Sequence, residues 1–209
     1  DDPDTTTILQ SPDSTNNQDF GYRIVGTQDG RTLVVSAPSQ GQGTIHFFFR
    51  RSSDAGTAFT IQNSLTMTDN DDTSSRLGES LSISSDGNFV VAGAPYTNAI
   101  GADGSTRFID AGLIKTYVWD PSVFNYTELS TIKGPNDGSS NLENANFGWS
   151  TAVAEPSDSS GRSTTPKLLF VSAPGYDNDT GIVHMYDWNI GADGSTYDTW
   201  TQQVSIQSP

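Results

Sequence analysis

One order of residues occurs three times along the chain, and it constrains the fold more than any other feature. Each copy begins with a large apolar residue before glycine, runs apolar into Ala-Pro, and continues from a further glycine into an aromatic strand. The opening pairs are Phe20-Gly21, Leu77-Gly78 and Phe147-Gly148, and the later pairs are Ala37-Pro38, Ala94-Pro95 and Ala173-Pro174. A repeat of this kind predicts an array of one structural unit.

The spacing of the copies is unequal because two of them contain insertions. The opening pairs are 57 and 70 residues apart, and the prolines are 57 and 79 residues apart. The extra residues are found at 96 to 110 in the second copy and at 156 to 166 in the third. Both insertions lie between apolar runs, where a surface loop accepts added length at small entropic cost.

The composition indicates that the unit is built from strands. Of the 25 acidic residues, 21 are aspartates, and the chain has 20 glycines. Aspartate and glycine favour turns, whereas glutamate favours helices. We therefore predict an all-β chain without a helix of ordinary length, and its 209 residues suffice for a substantial core.

The repeat resembles the FG-GAP repeat, which forms the blades of the propeller at the head of integrin α chains. The resemblance rests on the six pairs named above and covers nearly the whole chain. It implies four-stranded blades and an extracellular or cell-surface location. Many integrin-type copies have a run of spaced aspartates between their first two strands, but the copies here hold only Asp29, Asp86 and Asp158 at that place. The calcium site of those relatives is therefore not carried over.

The predicted fold is a β-propeller-type array of three four-stranded antiparallel blades within one segment, residues 1–209. Blade A spans residues 20–66, blade B 77–133 and blade C 147–207. Residues 5–19 would supply the fourth strand of a preceding blade, over 5–10, and a linker. The predicted strands are 22–27, 32–36, 43–50 and 59–66 in blade A, 79–84, 89–93, 112–119 and 126–133 in blade B, and 149–154, 167–172, 181–188 and 198–207 in blade C.

Three blades are too few to close a ring, because closed propellers have about four to eight. Two explanations stay open: the chain belongs to a longer protein, or several copies complete one another. The first residue, Asp1 instead of methionine, is expected for a chain that has lost a leader or is a piece of something longer.

The charge and hydropathy of the chain exclude some partners. The net charge is −15, with only 10 lysines and arginines. Nucleic acids and anionic membrane surfaces are bound largely through such cations, so we expect neither as a partner. No apolar run approaches the roughly 20 residues of a membrane-spanning helix, and membrane insertion is not expected.

The repeated residues have a structural interpretation. Glycine after a large apolar residue allows close backbone approach or positive φ, and proline after alanine ends a strand. A basic residue also recurs on the third strand of each blade, as His46, Lys115 and His184. We expect it at a solvent-facing position, with a row of protonatable groups as the alternative.

Two further kinds of site are considered. The clusters Asp69 to Asp72 and Asp177 to Asp179 could offer oxygen ligands to calcium, but neither has a complete calcium-loop spacing, so we predict no cofactor and retain calcium as a candidate. Asn125 and Asn178 begin glycosylation sequons, which would place them at the surface of a secreted protein.

The sequence lacks the residues with which common enzymes begin. It has no cysteine and only two histidines, and it lacks the motifs of serine hydrolases, zinc proteases and nucleotide-binding proteins. We predict a non-catalytic extracellular module for protein interaction, adhesion or surface assembly, with protein partners or self-association. The alternatives are a structural subunit of a filament, sheath or virion, joined head-to-tail as a homo-polymer, and the accessory propeller of a secreted hydrolase.

Overall fold

The protein consists of three four-stranded antiparallel sheets, seen in a computed structural model that describes residues 8–13, 18–50, 59–68, 74–101, 103–134, 142–155, 167–189 and 199–207. In each sheet the strands follow one another in chain order, from the first to the fourth. The predicted all-β class and the three four-stranded blades are thereby confirmed.

The strands begin and end close to the predicted positions. Blade A comprises β1 (Ile24–Gly26), β2 (Thr32–Ala37), β3 (Thr44–Phe49) and β4 (Thr60–Thr66). Blade B comprises β5 (Ser80–Ile83), β6 (Phe89–Ala94), β9 (Leu113–Asp120) and β10 (Asn125–Lys133). Blade C comprises β11 (Thr151–Ala154), β12 (Leu168–Ala173), β13 (Ile182–Asn189) and β14 (Thr199–Gln207).

Two short elements lie between the strands of the blades. The insertion at residues 96 to 110 forms a hairpin of β7 (Ala99–Ile100) and β8 (Arg107–Phe108). The single turn α1 (Tyr176–Asp179) joins β12 to β13 and holds three residues at positive φ. At the other end of the chain, residues 8 to 10 form no strand, and residues 5 to 7 of the strand predicted over 5–10 lie outside the described part.

Apolar side chains fill the two junctions between blades. Between blades A and B, Tyr126 stacks on Phe47 with ring centroids 4.5 Å apart, and both rings are buried in a core cluster that also contains Leu77. Between blades B and C, the core includes Phe147 and Tyr186. Each sheet therefore buries a face against its neighbour, as stacked sheets do through bulky side chains.

A repeated turn precedes the first strand of every blade. The residue before each opening pair has φ of 54°, and the glycine of the pair has φ between 91° and 93°. The N–H of that glycine donates to the carbonyl that precedes the Ala-Pro alanine in the same blade. These bonds run from Gly21 to Ser36, from Gly78 to Gly93 and from Gly148 to Ser172, at 2.9 to 3.0 Å.

Candidate ligand-binding site

A cleft of about 240 Å³ lies between blades A and B, where the β1–β2 turn meets the β5–β6 turn. The turns supply polar groups to it, and the third and fourth strands supply aromatic rings. The polar side chains are those of Asp29, Arg31, Asp86 and Asn88, and the aromatic ones are those of Phe49, Trp119 and Tyr126.

The two carboxylates are held by the same kind of turn. Asp29 accepts hydrogen bonds from the Thr27 hydroxyl at 2.6 Å and from the Arg31 N–H at 3.0 Å. Asp86 accepts them from the Ser84 hydroxyl at 2.6 Å and from the Asn88 N–H at 2.9 Å. An aspartate that bonds to the main chain two residues ahead is a common way of closing a turn. The turns at Asp29-Gly30 and Asp86-Gly87 thus bring one carboxylate from each blade to the cleft.

Both carboxylates are ionised at neutral pH. The hydrogen bonds from Thr27 and from the Arg31 N–H lower the pKa of Asp29. Burial by itself would raise the pKa of Asp86, but the hydrogen bonds that it accepts, chiefly from Lys167 and Ser84, outweigh burial and lower that pKa to about 2. The cleft therefore presents two negative charges beside the Arg31 guanidinium, whose Nε lies 3.7 Å from the Asp29 carboxylate.

The opposite wall of the cleft is aromatic. The ring of Trp119 lies 5.0 Å from that of Phe49 and 5.3 Å from that of Tyr126, measured between centroids. Phe124 continues this cluster at 6.5 Å from Trp119, is 69% exposed and has φ of 51°. Positive φ is a strained conformation for a bulky residue. An exposed aromatic ring held in this way extends the apolar surface beyond the mouth of the cleft.

A buried lysine supports the polar wall from blade C. The Nζ of Lys167 donates to the carboxylate of Asp86 at 2.6 Å and to that of Glu155 at 2.5 Å. It also lies 4.9 Å from the centroid of the Phe89 ring. Lys167 thus holds the Asp86 side chain in place through an ion pair. No sequence motif indicates this lysine.

None of the twelve signature residues lines the cleft. Pro38, Pro95 and Pro174 each follow directly on the last residue of a second strand. The alanines before them are completely buried. The remaining signature residues are Phe20, Gly21, Leu77, Gly78, Phe147 and Gly148, which form the repeated turns.

The two histidines are buried, so the solvent-facing position expected for them is wrong. The ring of Phe20 lies 5.5 Å from that of His46, and the ring of Phe147 lies 5.7 Å from that of His184. The Nδ1 atoms of the histidines lie 2.7 and 2.8 Å from the hydroxyls of Ser64 and Ser205. The aromatic residue of each opening pair therefore covers the histidine of its own blade.

Acidification is expected to destabilise the fold through these histidines. Burial lowers the pKa of both, although the charge of Asp13 opposes this at His46. The unfolded chain takes up protons at the ordinary pKa of about 6.5. Stability should be constant above that pH and should fall below it, as the unfolded state binds protons that the folded state does not. Each unit by which folding lowers a pKa corresponds to about 1.4 kcal/mol.

Urea unfolding at several pH values between 5 and 8 measures this dependence. The double variant His46→Gln with His184→Gln is the control, since glutamine does not titrate. A midpoint that falls equally in the variant and in the native sequence over this interval would assign the effect to other groups.

The candidate positions for calcium and glycans have the following places. Asp177, Asn178 and Asp179 lie in α1, and all three have positive φ. The described part of the chain contains no group of three or more acidic, histidine or cysteine side chains that could hold a metal ion. The residues at 69 to 72 and Asp158 are outside that part. Asn178 is exposed and Asn125 begins β10, and glycosylation of both stays a prediction.

Comparison with known proteins finds matches among solved structures alone. No family model and no curated protein matches the sequence. Among solved structures, a periplasmic gluconolactonase of Pseudomonas aeruginosa matches with 12% identity and a TM-score of 0.48, over 88% of this chain and 39% of that one. A Lactobacillus plantarum protein matches with 19% identity and a TM-score of 0.46, over 88% and 40%. The chain thus spans about two-fifths of the length of either.

These findings correct the main functional prediction, a non-catalytic module for protein interaction, adhesion or surface assembly. Neither of these two structures is described as an adhesion protein, and the one whose description states an activity is a gluconolactonase. At such low similarity that activity is a property of the Pseudomonas protein only. In the described residues, no helix combines the length and the apolar character needed to cross a membrane.

Proposed function

We propose that this chain is the ligand-binding propeller of an exported hydrolase that acts on a carbohydrate or a similar polyhydroxylated compound. The cleft between blades A and B would hold the ligand. The observation that carries the proposal is the combination, in one cleft, of two ionised carboxylates, a guanidinium and an amide with an aromatic wall. Export agrees with sequons at Asn125 and Asn178.

The cleft offers partners both for the hydroxyl groups of a sugar and for its apolar C–H face. Hydroxyl groups of the ligand would donate to the carboxylates of Asp29 and Asp86 and accept from Arg31 and Asn88. The C–H face of a sugar would pack on Trp119 and on the exposed ring of Phe124. A few convergent polar groups within an aromatic surface are typical of small-molecule sites.

The same electrostatics support binding without bond cleavage at this cleft. Hydrolysis of a glycoside requires a carboxylic acid that stays protonated near neutral pH, which means a raised pKa. The pKa values of Asp29 and Asp86 are both lowered. We therefore propose that catalysis belongs to another part of the parent protein and that the blades have the accessory role.

We propose further that the blades are FG-GAP repeats. The proposal is supported by the three equivalent turns, in which the glycine of each opening pair bonds to the strand that ends in Ala-Pro. The proposed ligand-binding role rests on the cleft between blades A and B and not on the repeat family, because a fold of this kind does not determine a function.

Calorimetric titration with a panel of mono- and oligosaccharides tests the proposed ligand. We expect a Kd of about 1 mM for the best sugar, which corresponds to about −4 kcal/mol. Replacing Arg31 by alanine should weaken binding by about five- to twentyfold, the value of one or two lost hydrogen bonds. Arg31 is well exposed, so this change should leave the fold intact.

The matched control is Arg107→Ala, which removes an exposed arginine from the β7–β8 hairpin, away from the cleft. Its affinity should equal that of the native chain. The proposal fails if no sugar binds at a concentration of about 20 mM, which is 20 times the expected Kd. It also fails if the two arginine variants bind the best sugar equally well.

A further inference from the structure

The contact between successive blades repeats along the chain and depends on one glycine in each. The glycine that opens the third strand touches the backbone of the next blade. A Cβ atom on Gly43 would lie 2.0 Å from the Leu77 nitrogen, and one on Gly112 would lie 2.1 Å from the Phe147 oxygen. In return, the N–H groups of Leu77 and Phe147 donate to the carbonyls of Gln42 and Ala111, both at 3.0 Å. Each opening pair is therefore docked on the preceding blade.

Blade C has the same docking position, and no described residue of another blade occupies it. Gly181 has φ of 77°, close to the 86° of Gly112, but the three atoms nearest to a Cβ atom there all belong to Pro174, and the nearest lies at 3.3 Å. A depression beside it is lined by residues that include Ser172, Val183 and Ile206. We call it the blade C pocket. By its place in the repeat, it corresponds to the surfaces that hold Leu77-Gly78 and Phe147-Gly148.

The sheet face around this pocket is apolar and uncovered. Val204 is 48% exposed and Ile206 is 61% exposed. They pair across the strands with Met185 and Val183, which point to the same side of the sheet. On the equivalent face of blade A, Val34 and Phe47 are fully buried beneath blade B.

Blade A has the complementary free surface at the other end of the array. Gly21 has φ of 91°, as Gly148 does, yet no atom of the described residues lies within 4 Å of a Cβ atom built on it. At Gly78, by contrast, such an atom would lie 2.6 Å from the Ser36 Cβ of the preceding blade. Ile24, three residues after Gly21, is 59% exposed, whereas Leu81, three residues after Gly78, is 8% exposed.

The two free ends also carry opposite charges at positions that meet in the A–B junction. The backbone N–H of Arg50 donates to the carbonyl of Arg31, and that of Trp119 donates to the carbonyl of Asn88. Arg31 and Asn88 each directly precede the second strand of their blade, so Arg50 and Trp119 occupy equivalent positions in blades A and B. Phe49 of blade A contacts Trp119 of blade B at 5.0 Å.

The counterpart of Phe49 in blade C is Asp187, since each is the sixth residue after the glycine that opens the third strand. The Oδ1 atom of Asp187 is buried and accepts no hydrogen bond from the described residues, so its charge lacks a partner there. A blade A docked on blade C would bring its Arg50 to Asp187.

We propose that the free face of blade C binds blade A of a second copy of this chain. The second copy's Phe20-Gly21 pair would occupy the blade C pocket, and its Arg50 would pair with Asp187. The contact is heterologous, so two copies close a ring if the rotation allows it. Six blades then fall within the number found in closed propellers. The proposal is independent of the sugar-binding cleft.

Sedimentation velocity and light scattering on the 209-residue chain test this. We expect a concentration-dependent mass of twice 22.4 kDa. Gly181→Ala should weaken association at least about tenfold, since its Cβ would meet the incoming backbone as at Gly43. The control Gly104→Ala has a similar φ of 70° and open space, but lies on the β7–β8 hairpin, and it should associate normally.

Charge reversal provides the second test. Arg50→Asp and Asp187→Arg should each weaken association, and the double variant should restore it, with circular dichroism to show that each variant is folded. A larger mass that Gly181→Ala abolishes would support the same head-to-tail contact. A monomer at every concentration would overturn the proposal and favour a further blade as the occupant of the blade C pocket. Association that is affected neither by Gly181→Ala nor by the charge reversals would overturn it too.

Discussion

Replacing Gly112 by alanine is expected to lower the free energy of unfolding by more than about 4 kcal/mol, enough to leave much of the chain unfolded. The added Cβ would lie 2.1 Å from the oxygen and 2.4 Å from the nitrogen of Phe147. Neither atom can move freely, because the Phe147 N–H bonds to Ala111 and its ring packs on His184. The positive φ of 86° adds a conformational cost to the steric clash.

The control separates the clash from the conformational cost. Gly104 has φ of 70°, and no atom in the described part of the chain lies within 4 Å of a Cβ atom built there. Alanine at Gly104 should therefore cost only about 1–2 kcal/mol, the penalty for a left-handed residue. Urea unfolding followed by circular dichroism measures both variants. Equal losses of stability would mean that the blades do not depend on this contact.

The sequence allowed the blades to be predicted because their determinants are local. A glycine that must have positive φ and a proline that ends a strand each act within a few residues of themselves. Three ordered copies of such signals determined the strand order within each sheet. The turn residue before each opening pair could not be predicted, because Asp19, Arg76 and Asn146 share a φ of 54° but not a residue type.

The cleft and the burial of the histidines could not be predicted in the same way. Asp86 and Lys167 are 81 residues apart in the chain and meet only because blade C stacks on blade B. His46 was expected at the surface because histidine is polar. It is buried because Phe20 covers its ring and because Ser64 and Gln40 lie within hydrogen-bond distance of its two nitrogens. The hydrogen-bond partners of a buried polar group depend on how the blades pack. The sequence pattern of one blade does not contain that information.

Lys167→Ala is expected to lower the free energy of unfolding by about 3–5 kcal/mol, the usual cost of removing one partner from a buried ion pair. The Lys167 side chain is 8% exposed and that of Glu155 is 7% exposed, and their charged atoms are 2.5 Å apart. Without the ammonium group, the Glu155 carboxylate would remain buried, with the Ser85 hydroxyl as its hydrogen-bond donor among the described residues. The nearby Asp86 would lose a hydrogen bond as well.

Two further variants show whether the loss arises from the uncompensated charge. Lys115→Ala removes a lysine whose partner, Glu128, is 44% exposed, and it should cost at most about 1 kcal/mol. Adding Glu155→Gln to Lys167→Ala removes the buried charge and should recover about half of the lost stability or more. If the double variant is as unstable as Lys167→Ala alone, the lysine acts through packing on the Phe89 ring, and the carboxylates of blades B and C do not depend on its charge.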